Sequence, residues 1–215
     1  MPRNIDLSVY LVLDPILCQQ KGMVQTALEA VENGVTVVQL RAPDWKKKAW
    51  YECAVQLKKA LAGKALLIIN DQIDVALAVD ADGVHIGQKD LPVEVVRQLI
   101  GPEKILGLSA SYAHEVTQAN AQAVDYLGIG PIFQTQTKLD ADPAIAIDGF
   151  ARLRALTKLP CVAIGSVKAE HARALKQAKA DGLAVVSAIC GQDDVALAAR
   201  TLRHAWDLAS DTTTR

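Results

Sequence analysis

The chain of 215 residues is poor in aromatic side chains, at 4%. Its core must therefore be built from Ala, Val, Leu and Ile. It carries no excess of either charge. The 23 Lys+Arg against 24 Asp+Glu leave a net charge of −1, which argues against a general nucleic-acid coat and leaves room only for a local basic pocket. Cysteine is scarce and scattered. Cys18, Cys53, Cys161 and Cys190 form no CxxC pair and no secretory leader is visible, so neither a disulfide framework nor a zinc site is expected. No apolar run approaches the ~20 residues that span a bilayer. What remains is 51% apolar and 22% charged residues, enough to bury a core, in a length that suits one domain or two small ones. The expected class is a soluble, cytoplasmic globular protein with no nucleic-acid or membrane partner.

Two kinds of segment alternate along the chain. Short runs rich in Val, Ile and Leu read as buried strands at Ser8–Leu13, Thr36–Arg41, Ala65–Asn70, Gly83–Ile86, Lys104–Ser109, Tyr126–Ile129, Cys161–Ile164 and Leu183–Val186. Helical spacing separates them. Val24, Ala27, Leu28 and Val31 share one helical face, as do Val195, Ala198, Ala199, Leu202 and Trp206. Further helices are expected over Lys46–Leu61, Ile73–Val79, Val93–Ile100, His114–Ala121, Asp148–Leu156 and Ala169–Ala178. Eight strand–helix units, with strands apolar on both faces, predict an α/β fold: a (β/α)8 TIM barrel in a single domain over residues 1–215. An open doubly wound sheet would carry a Gly-rich turn after its first strand, and Leu13-Asp14-Pro15-Ile16 is not one. The polar tail, residues 210–215, is expected to fray.

In such a barrel the chemistry sits beyond the C-terminal ends of the strands. The residues found there are Gln39 and Arg41, Asn70 and Asp71, the run Gly87–Asp90, Ser109, the segment Gly130–Lys138, Gly165-Ser166 and Val186-Ser187. Asp71 and Asp90 read either as helix caps or as a carboxylate pair for Mg2+, which takes one or two carboxylates with water and phosphate oxygens. Arg41 could pair with a helix carboxylate, but with Gln39 nearby and Lys138 on a long loop, phosphate clamping is the better reading. Thr135 and Thr137 taken alone read as ordinary loop residues. Ser166 and Ser187 follow the seventh and eighth strands, where barrels often hold a phosphate on backbone N–H groups. His85 reads as a packed core histidine, and His114, His171 and His204 as solvated. Two phosphate positions on one rim, one with a metal, imply two phosphorylated groups. A Lys–Arg–Mg2+ clamp around a diphosphate equips it to leave.

The chain resembles the thiamine-phosphate synthase (thiamine-phosphate pyrophosphorylase) family from about Val9 to Leu208. The motifs that carry the resemblance are Gln39-Leu40-Arg41, Ile69-Asn70-Asp71, the run Ala81–Asp90, Gly107-Leu108-Ser109, and Gly128–Phe133 followed by Thr135–Lys138. The resemblance implies a transferase of thiamine biosynthesis. It would join 4-amino-2-methyl-5-(diphosphooxymethyl)pyrimidine to 4-methyl-5-(2-phosphooxyethyl)thiazole, giving thiamine phosphate and diphosphate. By the same resemblance Gln39, Arg41, Asn70, Ser109 and Lys138 contact the pyrimidine diphosphate, with Arg41, Lys138 and Ser109 in catalytic roles. Asp71 and Asp90 ligate Mg2+, and Thr135, Thr137, Ser166, Val186 and Ser187 hold the thiazole phosphate. The implied reaction is dissociative: diphosphate leaves first and the thiazole nitrogen captures the carbocation, which fits the absence of a strong side-chain nucleophile.

The chain departs from the family pattern in several places. Pro43 stands where a phosphate-binding lysine is usual, Ser166 and Ala146 stand where glycines are common, and Ala110-Ser111 follows Ser109 where a histidine is frequent. Serine at 166 keeps its backbone N–H and suits the site if the backbone there avoids positive φ. Two alternatives stay open: a thiazole tautomerase-like relative, and a non-catalytic barrel that binds phosphorylated ligands.

Overall fold

The computed structural model of the chain describes residues 5–134 and 142–210. Strands and helices alternate as β1 (Val9–Leu13), α1 (Met23–Glu32), β2 (Val37–Leu40), α2 (Lys47–Leu61), β3 (Leu66–Asn70), α3 (Ile73–Ala78), β4 (Gly83–Ile86), α4 (Val93–Ile100), β5 (Ile105–Ala110), α5 (Ala113–Ala119), β6 (Tyr126–Ile129), α6 (Ala146–Arg154), β7 (Cys161–Ile164), α7 (Ala172–Gln177), β8 (Gly182–Val185) and α8 (Val195–Ser210). The strands pair in parallel and in sequence order, and the sheet closes on itself. Tyr10 of β1 stands opposite Val37 of β2 and Ala184 of β8. The fold is the expected (β/α)8 barrel.

The period-2 alternation of strands divides the core in two. Tyr10, Val12, Val37, Ile68, Ile105, Tyr126, Val162 and Ala184 fill the barrel. Their neighbours, among them Val9, Leu11, Val38, Leu67 and Leu183, pack outward against the helices. Both faces are buried, which is why the strands read as continuous apolar runs.

Local boundaries differ where small residues or turns intervene. The buried face of α1 is Met23, Thr26, Ala27 and Ala30, one position round from the expected stripe. Beyond Met23 this face is made of small side chains, while Val24 and Val31 are only partly buried against the core. The expected helix at Ala169–Ala178 opens as a 3-10 turn, Ala169–His171, before α7. His171, expected to be solvated, is half-buried: its ring centroid lies 4.4 Å from that of Phe133, and its Nδ1 accepts from the Lys168 N–H at 3.0 Å.

A repeated device braces the N-terminal end of the barrel. Asp82, Asp125 and Asp181 immediately precede β4, β6 and β8. Each accepts an N–H of the preceding odd strand or its approach: Leu67, Leu106 and Cys161, all at 2.8 Å. Each also meets a cation from an even helix: Lys58 of α2 at 3.0 Å, Arg97 of α4 at 2.8 Å and Arg154 of α6 at 3.4 Å.

Candidate active site

Strands β2 to β5 supply the polar half of the opposite rim. Gln39 points into the barrel and is only 5% exposed, and Arg41 stands two residues on, beyond the strand end. Asp71 follows β3 with φ 56, a left-handed conformation that Asp accepts more readily than most residues. Its N–H donates to the His85 carbonyl at 3.0 Å, and its carboxylate accepts from Asn70 Nδ2 at 2.6 Å. After β4, Asp90 closes a turn by accepting from the Gly87 N–H at 2.7 Å. Neither carboxylate caps a helix. The N-caps of α3 and α4 are Gln72 and Pro92, without side-chain cap bonds.

The two carboxylates face each other instead. Burial of the carboxyl in the concave rim, and next the Asp90 charge, push Asp71 up to about 7, while Arg41 and Asn70 pull it down. Like charges held together raise a carboxyl in this way. A pair of hard oxygen donors that repel each other suits a divalent cation such as Mg2+, which would remove the repulsion. Ser109, near the end of β5, contacts His85 Nε2 through Oγ at 2.9 Å, and its carbonyl accepts from Gln88 at 2.7 Å.

Strands β6 to β8 supply the other half. The segment after β6 is pinned to the end of β7. Ile132 N–H donates to Ile164 C=O at 2.8 Å, and Phe133 N–H to Gly165 C=O at 3.1 Å. Ser166 Oγ donates to Gln134 C=O at 2.8 Å. Gly165 has φ 104, and a Cβ there would lie 2.6 Å from Pro131 Cβ, so only glycine fits. Ser166 and Ala146 also have positive φ, at 50 and 56. Both non-glycine departures therefore sit in backbone that favours glycine, and the condition placed on Ser166 is not met. Its hydroxyl hydrogen goes to Gln134 rather than outward. Thr135, Thr137 and Lys138, and the tail from 211 on, lie outside the described residues.

The two halves line one cavity. Gln39, Arg41, Asn70, Asp71, Asp90 and Ser109 face it from one side, and Ser166, Val186 and Ser187 from the other. Every described residue among the expected site residues is thus brought together. Among the described residues Arg41 is the one Lys or Arg lining the cavity. Neither Lys46 nor Lys47 is among the residues that line it, and Lys47 bonds to Gln72 and Asp74.

The cavity also has a floor and walls that reading the strand ends missed. Tyr10, Val12, Tyr126, Val162, Ile164 and Ala184 line it, as do Ser111 and Asp142. The signal was present in the alternation of the strands, since residues two before an inward rim residue also point inward. His85 is packed as expected, 8% exposed, but it too lines the cavity.

The thiamine monophosphate synthase family model matches residues 9–189. The chain is 50% identical over 204 residues to the thiamine-phosphate synthase of Laribacter hongkongensis, covering 94% of this chain and 96% of that one. It is 51% identical over 204 residues to that of Azorhizobium caulinodans, with the same coverage. The solved thiamine phosphate pyrophosphorylase from Pyrococcus furiosus superposes with a TM-score of 0.86 at 35% identity, covering 95% of this chain and 97% of that one.

Proposed function

The chain belongs to the thiamine monophosphate synthase family, and on that premise we propose how its rim makes thiamine phosphate. The activity is that of a transferase: the bond from the pyrimidine methylene carbon to diphosphate oxygen breaks, and a bond from the thiazole nitrogen to that carbon forms. Diphosphate leaves with the electron pair, and the thiazole nitrogen supplies the new one. In this reading the partners are two small phosphorylated molecules of the cytoplasm.

The chemistry asks the protein for charge and order rather than for a nucleophile. Arg41 and Lys138 grip the diphosphate, and their charge counts most as the leaving group gains charge. Gln39, Asn70 and Ser109 orient the pyrimidine. Asp71 and Asp90 would hold Mg2+, which would supply positive charge to offset the charge of the leaving group. Thr135, Thr137, Ser166, Val186 and Ser187 receive the thiazole phosphate. At Ser166 the backbone N–H is the donor, because the hydroxyl is engaged with Gln134.

The observation that carries this reading is the facing Asp71–Asp90 pair beside Arg41, in the cavity that Ser166 and Ser187 close from the other side. The test is to mix the protein with both substrates and Mg2+ and to measure thiamine phosphate and diphosphate. Equal amounts of both products are expected. Substrates left intact would overturn the reading.

A further inference from the structure

Five side chains from five strands form one hydrogen-bonded chain across the barrel. Gln39 Nε2 of β2 donates to Tyr10 Oη of β1 at 2.8 Å. Tyr10 Oη and Tyr126 Oη of β6 are 2.7 Å apart. Tyr126 Oη lies 2.9 Å from His85 Nδ1 of β4, and His85 Nε2 lies 2.9 Å from Ser109 Oγ of β5. The contact depends on missing side chains. A Cβ at Gly107 would collide with the Tyr126 ring and His85 Nδ1, and one at Gly128 would lie 3.2 Å from His85 Cε1.

The chain has a direction. Each phenol has a single proton, and burial pushes both Tyr10 and Tyr126 well above the usual phenol range, so both stay protonated. Because Gln39 donates to Tyr10, the Tyr10 proton goes to Tyr126. Otherwise a buried O–H would be left unsatisfied, which is costly. The same argument sends the Tyr126 proton to His85 Nδ1. A neutral imidazole that accepts at Nδ1 carries its proton on Nε2, and that N–H donates to Ser109 Oγ. The two ends are then fixed in opposite senses. Gln39 keeps its carbonyl Oε1 for the cavity, and Ser109 keeps its hydroxyl hydrogen.

We propose that Tyr10, Tyr126 and His85 are positioning residues, a one-way relay that presents Gln39 as an acceptor and Ser109 as a donor to the same ligand ring. The ring such a site selects is a heteroaromatic with an amino N–H toward β2 and a bare ring nitrogen toward β5. A 4-aminopyrimidine has both. The inference rests on the proposed function for the identity of that ring, but the direction of the relay does not.

The test has two parts. Nitrogen NMR on protein labelled at histidine, with His85 assigned by loss of its signals in His85→Gln, reads the tautomer without any turnover. The expected result is a proton on Nε2, and a proton on Nδ1 would overturn the relay as drawn. In Gln39→Glu the carboxylate can only accept, so Tyr10 must donate to it, and the His85 proton is expected to move to Nδ1. An unmoved tautomer in the folded variant would also overturn the relay. Steady-state kinetics of Tyr126→Phe supply the second part. The kcat/KM for the aminopyrimidine diphosphate should fall about tenfold or more, while the KM for the thiazole phosphate is unchanged. Unchanged values for both substrates would show that the relay positions nothing. If wild-type protein forms no thiamine phosphate, the proposed function fails, and the tautomer still decides the relay.

Discussion

Asp71 shows how much one residue can say once its neighbours are known. Its carboxyl is raised to about 7 from an ordinary 3.8, so folding without metal favours its protonated form. That contribution to stability is fully present below pH ~4 and is lost as pH rises through about 7. Asp71→Asn removes the charge and tolerates the left-handed backbone. It should therefore raise the melting temperature of metal-free protein more at pH 8 than at pH 5, and lack the further rise that Mg2+ is expected to give the wild type. Thermal melts at both pH values, with and without Mg2+, check this; an intact Mg2+ effect in the variant would remove Asp71 from the metal site. Sequence alone left capping and metal binding open for both aspartates, because the spacing before a helix is the same in either case. In the structure neither carboxylate caps a helix, since Asp90 closes the turn from Gly87 and the N-caps of α3 and α4 are Gln72 and Pro92; metal binding is the proposal that the melts test. At Ser166, replacement by Ala should cost about 1 kcal/mol, since the bond to Gln134 is lost while the left-handed strain remains. Ser166→Gly should be close to neutral, because relief of strain of about 1 kcal/mol offsets the lost bond. Denaturant titration of both variants would separate them, and equal losses would show that the strain is negligible.

Among the elements, the strands were the most legible, because burial on both faces leaves an unbroken apolar run; Tyr126–Ile129 and Cys161–Ile164 keep the expected limits. Helix faces were less so. In α1 the buried face Met23, Thr26, Ala27 and Ala30 has the same helical spacing as the expected stripe, so periodicity alone does not choose between them. The aspartates before β4, β6 and β8 went unread for another reason: each acts through a helix that ends more than twenty residues away in sequence. Arg97 shows how complete such a brace is. It donates to Asp125, to Ala123 C=O twice, and to Gly101 and Lys104 C=O. Asp125→Ala would leave the guanidinium and the Leu106 N–H short of a partner in a half-buried place. A loss of about 2–4 kcal/mol in stability is expected, with kcat and KM preserved in the folded fraction because the brace lies at the end of the barrel away from the cavity. A changed KM with stability intact would contradict that division of labour.

The whole molecule separates those tasks by its two ends. The N-terminal end is held by ion pairs, and the C-terminal rim collects the polar groups proposed to meet substrate. The rim residues were readable because a barrel gathers the polar ends of its strands there, whereas the floor of Tyr10, Tyr126 and His85 was written only in the alternation of the strands, where inward-pointing residues look like core. Among the described residues the cavity has one lining cation, Arg41, against Asp71, Asp90 and Asp142. Release of diphosphate at this rim, as proposed, therefore depends on Arg41 acting on the charge of the departing group. The most direct measurement is the kcat and KM of Arg41→Met for the pyrimidine diphosphate at saturating Mg2+ and thiazole phosphate. The expected result is a fall in kcat on the order of 10²-fold or more, the effect of removing a donor aimed at developing charge. A rise in KM with kcat unchanged would show that Arg41 only binds the substrate, and would contradict the account of the rim as a device for releasing diphosphate.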